Sequence, residues 1–192
     1  MNVSHNRGMS SLKDNSARNP SPAKGGQFRL QNGYTEIEWG GAALLGKIIW
    51  PDVCCACGCN REGNSQGWAF EKFTISSYDG QFTASAELLA HICPGCARAN
   101  LSVKDCFRAK LRYKDRGHIL ILQIGNPRVA DIWRQALMAP FKVASAILKE
   151  NKGVDVSFDR IKPIFGIRSD KRCEPGTPEW KDPIRKWWQF WK

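Results

Sequence analysis

Two pairs of cysteines, each with two residues between its members, constrain the fold of this 192-residue chain more than any other feature. They are Cys54 with Cys57 and Cys93 with Cys96, separated by the 35-residue segment 58–92. Two thiolates spaced in this way can bind one metal ion from a single tight turn, and two such turns complete a tetrahedral site. Gly58 after the first pair and Pro94-Gly95 within the second pair suit such turns. The sequence therefore predicts one structural zinc ion, Zn²⁺, with these four cysteines as its ligands.

The ligand set has alternatives because other metal-binding residues crowd the two pairs. Cys55 and Cys59 adjoin the first pair and His91 precedes the second, so any of the three can replace a predicted ligand. Four cysteines also suit an iron–sulfur cluster, which we rank below zinc. A zinc ion held by four thiolates has no open coordination position, so its predicted role is to stabilise the fold. No catalytic constellation is apparent, and the expected protein is not an enzyme.

The second pair has another interpretation. Cys93-Pro94-Gly95-Cys96 resembles the dithiol of glutaredoxin-like oxidoreductases, in which a helix N-terminus lowers the pKa of the first thiol. No strand–helix–strand pattern precedes the pair, and the first pair competes as its metal-binding partner. A thiol–disulfide oxidoreductase therefore remains an alternative function.

Charge and hydropathy indicate the kind of partner. The formal net charge is +11, but residues 34–97, which contain both pairs, carry −4, whereas 98–118 carry +5. A positive balance favours polyanionic partners, either nucleic acid or an anionic membrane surface. The polar N-terminus has no apolar signal segment, and no apolar run approaches the length of a membrane span. We expect a cytoplasmic protein, or one bound peripherally to a membrane.

Periodicity predicts an α+β fold that follows a disordered basic arm over residues 1–33. Alternating or β-branched apolar residues predict five strands, over residues 34–39, 68–76, 81–88, 118–124 and 154–158. A turn at Tyr78-Asp79-Gly80 should join the second and third strands into a hairpin. Asn126 and Pro127 predict the start of an amphipathic helix, which Pro140 should kink or split.

A further helix is expected after Cys96, because Val103, Phe107 and Leu111 are four residues apart. A second stripe of basic residues follows the same spacing. The residues predicted to bind a polyanion are Arg98, Lys104, Arg108 and Arg112. No base-reading motif accompanies them, so contact with nucleic acid should not depend on sequence.

The C-terminal segment is rich in tryptophan. After a linker over 166–181, Asp182 and Pro183 can start a short helix with large apolar residues on one face and cations on the other. The residues predicted to bind a membrane or a protein partner are Ile184, Trp187, Trp188 and Trp191. Anchoring to a membrane surface through this helix is the second alternative for the function.

Residues 48–112 resemble the zinc-ribbon and treble-clef group of small domains. The matching features are Pro51 ahead of the first pair with Gly58, the strand hairpin, and Cys93-Pro94-Gly95-Cys96 leading into a helix. The resemblance implies a structural or interaction module. We therefore predict a zinc-binding module over 34–112, an α+β segment over 113–165 packed on it, and a non-enzymatic binding or adaptor protein that engages a polyanion or a protein partner.

Overall fold

The computed structural model of the protein describes residues 28–41, 45, 48–61, 66–78, 80, 83–114, 117–152 and 166–181. Its strands are β1 (Tyr34–Gly40), β2 (Ala69–Tyr78), β3 (Thr83–Ile92), β4 (Phe107–Lys114), β5 (Gly117–Ile124) and β6 (Gly166–Cys173). Its helices are α1 (Pro94–Arg98), α2 (Val103–Cys106) and α3 (Pro127–Lys152). Antiparallel sheets together with helices confirm the α+β class. The strand predicted over 154–158 and the tail from residue 182 lie outside the described residues.

A four-stranded antiparallel sheet forms the centre of the protein, with strand order β4-β5-β1-β6. Residues 119–124 of β5 are all buried, as expected for an apolar, β-branched strand with neighbours on both sides. One face of the sheet packs against α3, where Phe107, Leu122 and Trp133 share one hydrophobic core. The rings of Phe107 and Trp133 are 5.1 Å apart.

Strands β2 and β3 form the predicted hairpin, with Ala69 opposite Ile92 and Tyr78 opposite Thr83. One face of this hairpin contributes Ile75 and Leu88 to the same core. Its Phe73 ring lies 5.8 Å from Phe107, so the hairpin packs beside the edge strand β4. Strand β3 continues beyond the predicted end at residue 88 to Ile92, directly before Cys93, and thereby fixes the position of the second cysteine pair.

The prediction of a helix after Cys96 is wrong beyond residue 106. The chain instead forms α1 and α2, each about one turn long, and then strand β4. The spacing of Val103, Phe107 and Leu111 did not distinguish the two structures, because residues four apart share a face in a strand as well as in a helix. Pairing of Phe107 and Leu111 with the buried strand β5 decides in favour of the strand.

Two further predictions are corrected. Residues 166–173 of the predicted linker form β6, which pairs with β1, and the charged residues Arg168, Asp170 and Lys171 on this edge strand conceal the strand pattern. Of the two outcomes predicted at Pro140, a kink or a split, the split does not occur, because helix α3 continues through Pro140. No helix among the described residues is long and apolar enough to span a bilayer.

The last residues of the predicted disordered arm are ordered. Leu30–Asn32 form a 3-10 turn, and Leu30 is buried together with Tyr34 and Cys173. The chain at Phe28 passes so close to Gly125 that a Cβ atom there would lie 2.0 Å from the Phe28 carbonyl oxygen. Glycine at position 125 therefore permits this segment to pack against the end of β5.

A pair of leucine substitutions tests the location of the core. Leu122→Ala removes a fully buried side chain and should lower the free energy of unfolding by about 2–5 kcal/mol. Leu89→Ala in β3, where the side chain is 43% exposed, should cost about 1 kcal/mol or less. Urea denaturation of both variants measures the difference, and equal costs would contradict the assignment of the core.

Candidate metal centre and basic groove

The first cysteine pair lies in a tight turn. Val53 and Asn60 form an antiparallel bridge, and the Cys54 amide donates to the Cys59 carbonyl at 2.9 Å. Inside this bridge the amide of Gly58 donates to the Cys54 carbonyl at 2.8 Å, with Gly58 at φ +74°. This left-handed conformation favours glycine, which confirms the role predicted for Gly58. The turn directs the thiols of Cys54, Cys57 and Cys59 to one point.

The second pair begins helix α1. Cys93 occupies the N-cap position with Pro94 as the first helical residue, and Cys96 lies within the helix. The amide of Cys93 points at the Cys54 sulfur, 3.3 Å away, and the amide of Cys55 donates to the His91 carbonyl at 2.8 Å. One backbone hydrogen bond and one amide-to-sulfur contact thus join the segments that carry the two pairs.

The sulfur atoms lie at metal-binding distances. Those of Cys54, Cys57, Cys59 and Cys93 are all within 4.8 Å of one another, and Cys57 to Cys93 measures 3.7 Å. Two thiolates on one tetrahedral zinc ion, each with a Zn–S bond of about 2.3 Å, are about 3.8 Å apart. The thiol of Cys96 hydrogen-bonds with those of Cys54 and Cys57. Four to five cysteines are thus close enough to hold a metal ion such as zinc.

The electrostatics of the cluster favour one thiolate, at Cys57, among protonated neighbours. Hydrogen bonds from the thiols of Cys54 and Cys96 lower the pKa of Cys57 to about 3. The complementary bonds raise the pKa of Cys96, and burial followed by the bond to Cys57 raises the pKa of Cys59. One thiolate is therefore stabilised by its neighbours, while loss of further protons requires a positive charge. A divalent cation supplies that charge.

The structure separates the alternative ligands that the sequence left open. Cys59 joins the cluster, its sulfur 3.4 Å from that of Cys57. Cys55 instead hydrogen-bonds with the buried Cys106, and this bond and burial raise the pKa of Cys55 well above its ordinary value. The imidazole of His91 is engaged by other residues. Three of the predicted ligands, Cys54, Cys57 and Cys93, lie in one group with Cys59, and the fourth, Cys96, adjoins that group through Cys54 and Cys57.

His91 belongs to a polar clamp around the cysteine turn, which the sequence reasoning missed. Its Nε2 lies 3.3 Å from a carboxylate oxygen of Asp52, and its Nδ1 lies 3.1 Å from a guanidinium nitrogen of Arg61. The same guanidinium nitrogen lies 3.2 Å from Nε2, and because arginine only donates hydrogen bonds, one ring nitrogen of a neutral His91 accepts from it. Burial, and secondarily Arg61, lower the pKa of His91, which favours this neutral form. The clamp fastens both ends of the turn to β3.

The beginning of α3 is also fastened to the cysteine turn. The side-chain nitrogen of Asn126 donates to the Ala56 carbonyl at 2.7 Å, while its oxygen accepts from the Arg128 amide at 2.9 Å. The second bond is the helix cap that the sequence predicted. The first bond joins the central sheet and helix to the candidate metal centre.

The predicted polyanion-binding residues are distributed over three elements. Arg98 is exposed on α1, Lys104 lies on α2, and Arg108 and Arg112 share one face of β4 with Lys110 between them. Arg112 lies 3.7 Å from the Glu38 carboxylate and is partly neutralised. A groove of about 380 Å³ beside β2 brings together Lys104, Arg108 and Lys110, of which Lys110 was not among the predicted residues. Lys110 is two residues from Arg108, and this spacing places both side chains on one face of a strand. A correct prediction of a strand at 107–114 would therefore have included Lys110.

The groove combines these cations with less polar groups: Phe73, Ala109, Ile121 and Gln123. Among the described residues, neither Arg108 nor Lys110 has an acidic partner, whereas Lys104 lies 3.2 Å from a Glu71 carboxylate oxygen. Two cations of the groove are thus available to an anionic ligand.

Comparisons with protein-family models, with curated proteins and with solved structures gave no match. The residues of the predicted tail site, Ile184, Trp187, Trp188 and Trp191, lie outside the described residues.

Substitution of Cys59 and Cys96, the two candidates for the fourth ligand, tests the ligand set. Because Cys59 and Cys96 both adjoin Cys57, we expect Cys59→Ser and Cys96→Ser each to retain bound metal and the double variant to lose it. Elemental analysis of the purified proteins gives the metal content. Cys173→Ser, at a buried position beside Tyr34, is the control. Loss of metal from one single variant alone would identify that cysteine as an irreplaceable ligand and contradict the expectation.

Proposed function

We propose that this protein is a non-enzymatic binding protein, stabilised by one zinc ion, that engages nucleic acid through the basic face of β4. The observation that carries the proposal is the convergence of Lys104, Arg108 and Lys110 on one groove. Arg108 and Lys110 follow an edge strand at a spacing of two residues, so both side chains leave the same face. Such a row of cations suits the phosphates of a nucleic acid backbone.

The zinc ion in this proposal is structural and is held by four thiolates of the cluster. The 3.7 Å separation of the Cys57 and Cys93 sulfurs supports a tetrahedral thiolate site. The arrangement of cysteine turn, hairpin and Cys93 at the start of α1 supports the resemblance to zinc-ribbon and treble-clef modules. A site closed by four thiolates leaves no position for a water or a substrate, which favours a binding function over catalysis.

Elemental analysis of protein purified without added metal tests the identity of the ion. One zinc per chain is the expected result, and removal by a chelator should lower the thermal stability because metal binding and folding are coupled. A brown protein that contains iron and inorganic sulfide would contradict the zinc assignment.

Neutralisation of the groove tests the binding surface. Arg108→Gln/Lys110→Gln should weaken binding of a single-stranded oligonucleotide and reduce the slope of log affinity against log salt by about 1.4, since each lost phosphate contact removes about 0.7. Arg128→Gln/Lys181→Gln, at exposed positions outside the groove, has the same net charge and serves as the control.

Fluorescence anisotropy over a range of salt concentrations measures both slopes. Equal weakening in the two double variants would assign binding to overall charge and not to the groove. Absence of binding by the unaltered protein at low salt would remove the proposed function.

A further inference from the structure

The groove beside β4 contains an acceptor that phosphate binding does not use. Gln123 is 9% exposed and lies on the same face of the sheet as Arg108, its partner across the β4–β5 pair. Ile121, also in the groove, is 2% exposed, whereas Lys104 and Lys110 are exposed. The groove thus has a buried floor formed by Ile121 and Gln123 and a rim of cations.

The orientation of the Gln123 amide is fixed. Its nitrogen donates to a carboxylate oxygen of Glu36 at 2.9 Å, and Glu36 is itself buried and lies 3.6 Å from the Lys171 ammonium. A carboxylate only accepts hydrogen bonds, so the nitrogen of Gln123 must face Glu36. The carbonyl oxygen has no bond among the described residues, so Gln123, which lines the groove, retains an unused acceptor.

The wall of the groove is aromatic. Phe73 of β2 is half-buried, and its ring is held edge-on against Phe107 at 5.8 Å. An aromatic wall, a buried acceptor and neighbouring cations together match one nucleotide: the face of the base, an N–H on its edge, and its phosphate. The volume of about 380 Å³ lies within the range of roughly 300–1,000 Å³ of small-ligand sites.

We propose that this groove holds one unstacked nucleobase of a single-stranded nucleic acid. Phe73 lies against the base, the Gln123 carbonyl oxygen accepts a hydrogen bond from an N–H of its edge, and Arg108 and Lys110 contact the adjoining phosphates. Every nucleobase carries such an N–H, so the pocket selects an unpaired base over a paired one without selecting its identity. This inference rests on the proposed function and specifies its substrate class.

Modified oligonucleotides test the base contact without changing the protein. The metal-loaded full-length protein is titrated with fluorescent oligothymidylate and with an abasic strand of equal phosphate number. The intact strand should bind about 5- to 150-fold more tightly, since stacking on an aromatic side chain is worth about 1–3 kcal/mol per base. Equal, salt-sensitive affinities would overturn the base pocket and leave the proposed function intact. Failure of both strands to bind at low salt would overturn both.

Two further measurements assign the contacts. Oligothymidylate methylated at N3 lacks the donor, so its affinity should fall several-fold; an unchanged affinity would overturn the role of Gln123. Phe73→Leu should reduce the preference for the intact strand and leave abasic binding unchanged. The control Phe70→Leu, at an exposed position on the opposite face of the hairpin, should preserve the preference. An undiminished preference in Phe73→Leu would overturn the stacking contact.

Discussion

The structure depends on one shared core between the cysteine cluster and the central sheet. Cys54 and Cys96 belong to the same group of buried residues as Phe107 and Trp133, and Asn126 bonds the cysteine turn directly to the start of α3. The cluster is therefore not a separate small module beside the sheet. A cation that balances its thiolates would stabilise the hairpin, the helix and the sheet together, because all three pack on the residues that hold it.

Features set by neighbouring residues could be predicted from the sequence. The spacing of the cysteine pairs indicated that they converge, and Gly58 has the left-handed backbone expected of its turn. The β2–β3 hairpin followed from its turn residues, β5 from a β-branched run, and the start of α3 from Asn126 and Pro127. In each case the physical cause lies within a few residues and leaves a local signal.

The remaining features depend on contacts between distant segments. Whether residues 107–114 form a helix or a strand is decided by pairing with β5, since their spacing suits both. Strand β6 exists because β1 offers a free edge, although its own residues are mostly polar. The Gln123–Glu36 bond and the clamp of His91 with Asp52 and Arg61 join residues far apart in sequence. No periodicity within one segment can reveal such partners.

The position of β4 at the edge of the sheet gives its cations a second consequence. An edge strand exposes unpaired backbone groups that can pair with another chain, and charged side chains along it discourage this self-association. Arg108 and Lys110 are charged side chains of this kind on β4, and the β2–β3 hairpin packs beside the same strand. Replacement of both cations by apolar residues would remove this protection of the edge strand. Such a variant would have an increased tendency to aggregate.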